Sequence, residues 1–462
     1  MALLSSSNPG RISRGGSFTP VIDPNASIKT DKNARGLFID TINVDPGDSL
    51  SPEDQKTLDD FNWEARIEAE NASRHKVTAN GNAQLDGNGN CVFDGTNSRL
   101  TTPYSPDFSL DNGDYTISFF VKFDSLSLQM ITQSNSTSAQ NYGSWWVRLE
   151  SDNSLRFLID KGSAAESLQT SASAISVDTE YFIEIVRQFG GTNRIFIDGI
   201  QKASGSDGSY NAVANSGFDI GAQNDNSAWV NGAISRFHLQ KGVASRTSAD
   251  SYTPPARTDT IPTDNPYTVL ALDFAGDAAS QRIIDLAKPD DTATPGLLPD
   301  VSGNEVDLTP SGSGVTYNAA AKTISFDGVS YASASSFVQS GGTVYLKATI
   351  DPDTVLQSAF GDANVHGGLK SAEYLYGNAG TELAGTVDVS VVEHTFAFDF
   401  TNGALYVDGA QVASGTIGAG AFAAFGWGAK STGADPCAMT SKMILVAADG
   451  YDSERNAAVT AA

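Results

Sequence analysis

The sequence predicts an all-β chain, two tandem antiparallel β-sandwiches preceded by an extended N-terminal arm. Three observations carry that reading. Short runs alternate apolar and polar residues, as strands with one buried face require. The 462 residues include 44 glycines and 17 prolines, which punctuate those runs into turns. A hairpin phrase is also written twice. Val92-Phe93-Asp94-Gly95 is followed by Ile195-Phe196-Ile197-Asp198-Gly199 and Gln201-Lys202-Ala203-Ser204-Gly205. Later come Ser325-Phe326-Asp327-Gly328, then Leu405-Tyr406-Val407-Asp408-Gly409 and Gln411-Val412-Ala413-Ser414-Gly415. Asp-Gly between apolar runs signals a tight hairpin, because a type I′ turn needs positive φ at both central residues.

Residues 1–62 lack sustained periodicity and read as an arm that anchors the protein to a partner. Arg11, Arg14, Lys29, Lys32 and Arg35 stand there against Asp23 and Asp31, a local charge of +3 in a chain whose formal net charge is −25. Residues 63–257 form the first expected sandwich. Tyr115, Ile117, Phe119, Val121 and Phe123 alternate with Thr116, Ser118, Phe120 and Lys122; Trp145, Val147 and Leu149 alternate with Trp146, Arg148 and Glu150. Prolines at 254, 255, 262 and 266 mark residues 258–266 as a linker, since proline cannot donate to a sheet ladder. Residues 267–462 form the second sandwich, opening on Thr268-Val269-Leu270-Ala271-Leu272, with one short helix expected over 280–286.

The acidic balance opposes binding to nucleic acid or an anionic membrane. Cys91 and Cys437 fall in different copies, so neither sandwich has a disulfide of its own and both residues read as small buried apolar groups. The N-terminus lacks the charged start and apolar stretch of a signal peptide and no run is long enough to span a membrane, so synthesis and folding in a cytosol are expected.

In the first copy, His75-Lys76-Val77-Thr78-Ala79-Asn80-Gly81-Asn82-Ala83, Gly113-Asp114-Tyr115-Thr116-Ile117-Ser118-Phe119, Phe196-Ile197-Asp198-Gly199, Asn231-Gly232-Ala233-Ile234-Ser235-Arg236-Phe237 and Lys241-Gly242-Val243-Ala244-Ser245-Arg246 resemble the laminin-G-like, or concanavalin-A-like, jelly rolls common in structural proteins of tailed bacteriophages. The second copy keeps the Asp-Gly phrases and Phe425-Gly426-Trp427-Gly428-Ala429 but lacks the closing Lys-Gly-Val-Ala. The resemblance implies two-sheet jelly rolls whose outer faces serve carbohydrate or protein recognition. It implies no activity, because the fold hosts lectins, hydrolases and scaffolds alike. The expectation drawn from it is a non-enzymatic virion structural protein, a surface decoration or adaptor, with other capsid or tail proteins and host glycans as partners and a homo-oligomer within the particle. A receptor-binding or tail-fibre component and a polysaccharide-degrading enzyme are the alternatives.

No catalytic residue is assigned. Glu64, Glu68 and Glu70 come nearest to the alternating carboxylates that a glycosidase needs, but they precede the core strands. The four histidines, His75, His238, His366 and His394, have no ligand spacing. No cofactor is expected; calcium is the one metal reading, with Asn224 and Asp225 of Gln223-Asn224-Asp225-Asn226 as oxygen ligands, against an ordinary Asx turn. If Trp145 faces the core, Trp146 faces outward, and Phe120, Arg148 and Arg156 are expected to share its face as a glycan platform. The competing reading has Phe120, Trp146, Leu158 and Val186 covered by the domain's own loops or by a neighbouring subunit.

Overall fold

A computed structural model describes residue 61 and residues 63–462, except 111–112, 135–144, 161–164, 207–216, 264, 291, 303, 335, 352–356, 372–373 and 388–391. The arm, with Arg11, Arg14, Lys29, Lys32 and Arg35, lies outside the described residues.

Each sandwich pairs an eight-stranded with a seven-stranded antiparallel sheet. In the first, the eight-stranded sheet runs Ile200–Ser206, Thr192–Ile197, Glu180–Arg187, Tyr115–Phe123, Asn231–Lys241, Cys91–Asp94, Gln84–Leu85, with Thr268–Leu272 as the eighth strand, paired on Asn231–Lys241. Its partner runs Ala165–Gln169, Leu155–Asp160, Trp145–Leu149, Gln129–Ser134, Phe218–Ile220, Arg99–Thr102, Thr78–Asn80. The second sandwich repeats both orders strand for strand, from Ala410–Ser414 to Val315–Asn318 in one sheet and from Glu382–Thr386 to Thr309–Ser311 in the other. The duplicated phrase therefore marks a duplicated topology. Inward residues fill two separate cores, with Phe119, Trp145, Phe157 and Phe237 in the first and Phe326, Phe360, Phe398 and Trp427 in the second.

The four Asp-Gly pairs divide into two kinds. Asp198 and Gly199 have φ of 51° and 74°, and Asp408 and Gly409 have 49° and 80°; both pairs close two-residue hairpins, joining Ile197 to Ile200 and Val407 to Ala410. At 94/95 and 327/328 only the glycine has positive φ. These pairs turn corners between the two sheets of a sandwich, with Asp94 Oδ1 accepting from the amides of Thr96 and Asn97 and Asp327 Oδ1 from those of Val329 and Ser330.

The sheets do not respect the expected boundaries. Thr268–Leu272, expected to open the second sandwich, pairs with Phe237–Gln240 and adds Val269, Leu270 and Leu272 to the first core. Ala65–Glu68, expected in the first, pairs with Met443–Val446 and adds Ala65 and Ile67 to the second core. The two slots are equivalent: each lies along a sandwich's last long strand, beyond the strand that ends in Phe-Asp. Each sandwich's opening strand thus sits in the other sandwich. Residues 258–266, expected as the linker between the sandwiches, are not one: Tyr252 before them, Asp259 and Thr260 within them and Thr268–Leu272 after them all pack on the first sandwich. Proline density marked a gap between strands, and sheet partnership is set by where the two connections run.

Those connections cross side by side. Ile67 bridges Asp300, Ser73 bridges Leu297 and Lys76 bridges Ile284. The helix expected over 280–286 does not form, because its backbone bonds outward: Ile284 bridges the other connection and the Leu286 amide donates to Ala271 O at 2.8 Å. Among the described residues the α-helix is Ser453–Ala461, which sequence reasoning missed. Asp452 caps it by accepting from the amides of Glu454 and Arg455. Its Val459 packs with Trp63, Tyr345 and Leu445 on the outer face of the second eight-stranded sheet. Both cysteines are buried and unpaired in disulfides, and burial pushes both thiols up.

The junction carries a buried ionic cluster. His75 Nδ1 lies 2.9 Å from Asp285 Oδ2 and Nε2 lies 3.0 Å from Asp107 Oδ2. Arg74 bonds Asp107 and Asp290 through two contacts each. Burial works to lower the His75 pKa, but hydrogen bonds to Asp107 and Asp285 outweigh it and the value is raised above 6.5. A raised folded-state pKa contributes stability in full below the unfolded value, and that contribution is lost as pH rises through the folded value. Thermal midpoints measured across that window should fall with rising pH, and His75→Ala should flatten the slope. An unchanged slope in the variant would remove His75 from the account.

Candidate functional site

The outer face of the first seven-stranded sheet is built from cross-strand pairs. Trp146 stands opposite Gln133 on one side and Leu158 on the other, and Arg148 stands opposite Arg156. Alternation turns Trp145 inward, where it is fully buried, packs tilted at 5.7 Å on Phe218 and donates its indole N–H to Phe108 O at 2.8 Å. Trp146 must then face outward, and it is half-buried there.

Two guanidinium groups flank it. Arg148 Cζ lies 4.3 Å and Arg156 Cζ 5.5 Å from the indole centroid, within cation–π range. Glu150 ties the arginines together at 2.8 and 3.4 Å, and Arg156 Nε donates to Ser167 Oγ at 2.6 Å. A ligand meets an aromatic–guanidinium stack here rather than a bare ring: flat apolar surface bordered by hydrogen-bond donors, with one carboxylate acceptor. That combination suits a sugar, whose C–H face stacks and whose hydroxyls need both donors and acceptors.

Phe120 does not belong to this face. It points out of the core as alternation requires, but from Tyr115–Phe123 of the opposite sheet, where it is 8% exposed and packs on Phe182 at 4.9 Å. Periodicity tells which side of a strand a residue occupies and is silent on which sheet the strand joins. The covering that was weighed against the platform holds for Phe120 and Val186, both buried. Residues 243–262 lie across their sheet, tied down at Glu184 by Ser245, Arg246 and Tyr252. Leu158, beside Trp146, is also buried.

Asn224 and Asp225 sit in an exposed turn closed by Gln223 N to Ser227 O at 3.0 Å. The Asp225 carboxylate accepts from Ser227 Oγ at 2.5 Å and from Gln223 Nε2 at 3.3 Å, the contacts of an ordinary Asx turn. Glu68 is engaged structurally at the junction, 2.7 Å from Arg66 Nε and 2.8 Å from Asn71 Nδ2.

Two cavities had no sequence signal, because each is assembled from segments distant in the chain. One, of about 520 Å³, lies between the sandwiches beside Lys76, Arg282, Glu305 and Asp307. The other, of about 400 Å³, lies under residues 243–262 beside Glu184, Arg236 and His238.

Residues 94–248 match the family described as Concanavalin A-like lectin/glucanases superfamily, and this part of the chain is a laminin-G-like, concanavalin-A-like jelly roll. No curated protein matches the sequence. Among solved structures, the chain is similar to the binding domain of botulinum neurotoxin serotype G (15% identity, TM-score 0.32, covering 40% of this chain and 49% of that one). It is similar to domain 4 of AbnA, an extracellular arabinanase from Geobacillus stearothermophilus, in complex with arabinotriose (16%, TM-score 0.30, 40% and 94%). Mouse laminin α1 domains LG4-5 are similar over 84% of this chain and 92% of that one, at 10% identity and TM-score 0.25. The chain spans about half the length of the neurotoxin domain.

Proposed function

We propose that the protein is a non-enzymatic surface protein of a tailed-bacteriophage virion, a decoration or adaptor, and that it contacts glycans through the outer face of its first seven-stranded sheet. The observation carrying the glycan reading is the half-buried Trp146 held between Arg148 and Arg156, with Glu150 as acceptor. The virion assignment is supported by the phrases that the first copy shares with phage jelly rolls, and by a cationic arm, Arg11 to Arg35, on an otherwise acidic chain. Such an arm suits docking along an acidic neighbour.

The test has two arms. On a glycan array the whole chain should give signals that Trp146→Ala abolishes; a silent array, or a variant that still binds, removes the glycan reading. Deleting residues 1–36 should leave both sandwiches folded and block incorporation into particles, whereas normal incorporation of the truncated chain removes the anchor.

A further inference from the structure

The second cavity lies on the other sheet of the first sandwich, away from Trp146. Register lines up Glu184, Ser118 and His238 across three strands, with Val186, Thr116 and Gln240 as the next row. Residues 243–262 close over this face. Thr116 Oγ1 donates to Val243 O at 3.1 Å, Tyr252 OH donates to Glu184 at 2.5 Å, and Arg236 donates to the carbonyls of Asp259 and Thr260 at 3.1 and 3.4 Å. About 400 Å³ remains between strap and sheet. Ser118, Glu184, Arg236 and His238, which line it, are each more than nine-tenths buried.

The two arginines there differ in their partners. Arg246 has Glu184 at 3.4 Å and stacks on Tyr252 at 3.8 Å. Arg236 is 7% exposed, and among the described residues its partners are backbone carbonyls, with no carboxylate in contact. The Asp259 side chain is exposed and accepts from the Ala256 amide at 2.8 Å. Guanidinium stays protonated, and a buried charge without a contacting carboxylate is costly: burial works against the Arg236 charge and the more distant Asp259 only partly offsets it. The backbone places it there under strain: Arg236 has φ of 49° in a bulge between Ser235 and His238, a conformation that is costly for a side chain of this kind and gathers at functional sites. The second sandwich has a bulge on the corresponding strand at Lys442, which is only half-buried and has Glu393 as counter-charge at 3.5 Å. In the first sandwich no described carboxylate contacts Arg236, and Asp259 acts on its charge only from a distance.

The remaining lining favours hydroxyls. Thr268 Oγ1 donates to Pro262 O at 3.0 Å and so accepts from His238 Nε2 at 2.9 Å, which leaves Nδ1 as an acceptor. Burial and the nearby Arg236 charge push His238 down to about 4, keeping the ring neutral. Ser118, Thr116 and Gln240 add polar groups, while Phe182, Pro255 and Pro262 supply apolar wall.

We infer that this cavity binds a small hydroxylated carboxylate of sugar-acid type, its carboxylate on Arg236 and its hydroxyls on Glu184, His238 and Gln240. The volume suits one such residue, free or at a chain end.

The test uses the full chain with sodium D-glucuronate, D-glucose and a glucuronate-terminated oligosaccharide as probes, read by saturation-transfer NMR and calorimetry. Glucuronate should bind and glucose should not; the oligosaccharide binds if the strap admits a chain end and fails if the site takes only the free acid, and either result stands with the inference. Arg236→Met should weaken glucuronate at least tenfold; because it also removes the bonds to the Asp259 and Thr260 carbonyls, the thermal midpoint of the unliganded variant is measured beside it. Ser118→Leu, which narrows the cavity and keeps the guanidinium, should weaken it as strongly and decides the matter if Arg236→Met does not fold. Trp146→Ala should change nothing here, which separates this site from the glycan face. Absence of glucuronate binding to the unaltered chain, or full binding by both variants, overturns the inference.

Discussion

Residues 267–462 expressed alone should fail to form a stable sandwich. The fragment lacks Ala65–Glu68, whose Ala65 and Ile67 are fully buried against the last long strand. It carries instead Thr268–Leu272, whose place is in the other sandwich. Losing the strand opens an apolar slot beside Ile444 and Val446 and leaves ladder groups unpaired. In the full chain, reciprocal exchange should make calorimetric unfolding a single transition. Ile67→Ala, a truncation worth about 2–5 kcal/mol at a buried site, should lower the stability of both sandwiches together. Adding a peptide covering residues 61–72 should restore structure to the fragment. A fragment that folds alone with native-like melting, or two separable transitions in the full chain, would show that the exchange is not required.

Trp145→Ala should destabilise the protein by about 3–5 kcal/mol in urea unfolding, as a large buried truncation does. It empties space among Phe108, Phe157 and Phe218 and orphans the Phe108 carbonyl. Trp146→Ala should cost about 1 kcal/mol or less, because its contacts are with partly exposed arginines. Adjacent identical residues with unlike effects are a direct consequence of strand alternation. Equal costs would mean that Trp146 is packed, and the glycan ledge would be withdrawn.

How much was legible depends on whether a feature is local. Alternation in Tyr115–Phe123 and Trp145–Leu149 and the repeated Asp-Gly phrases are local, and they led to strands, inward faces, two hairpins and the duplication. Phe120 shows the limit: its side of the strand could be read, its sheet could not. Thr268–Leu272 and Ala65–Glu68 read as strands in principle, yet their partners lie across the chain and depend on two connections running together, a long-range property without a pattern in either segment. The helix over 453–461 has a capping Asp452 that a search for helix starts would have found. The Arg236 cavity needs a bulge, a strap and a comparison between copies, none of them visible in one stretch of sequence.

The exchange also reverses the order in which the parts stand. Phe61 and Trp63, where the described chain leaves the arm, lie with Arg455 of the C-terminal helix 5.5 Å over each ring, against the second sandwich. Read along the polypeptide, the order is arm, first sandwich, second sandwich. In space the second sandwich sits next to the arm's root, and the first, with both of its candidate ligand faces, is held outboard. If the arm is moored to a particle, strain on it would reach the second sandwich first, through a strand paired along that sandwich's last long strand, and the outboard sandwich would be the one presented to the surroundings.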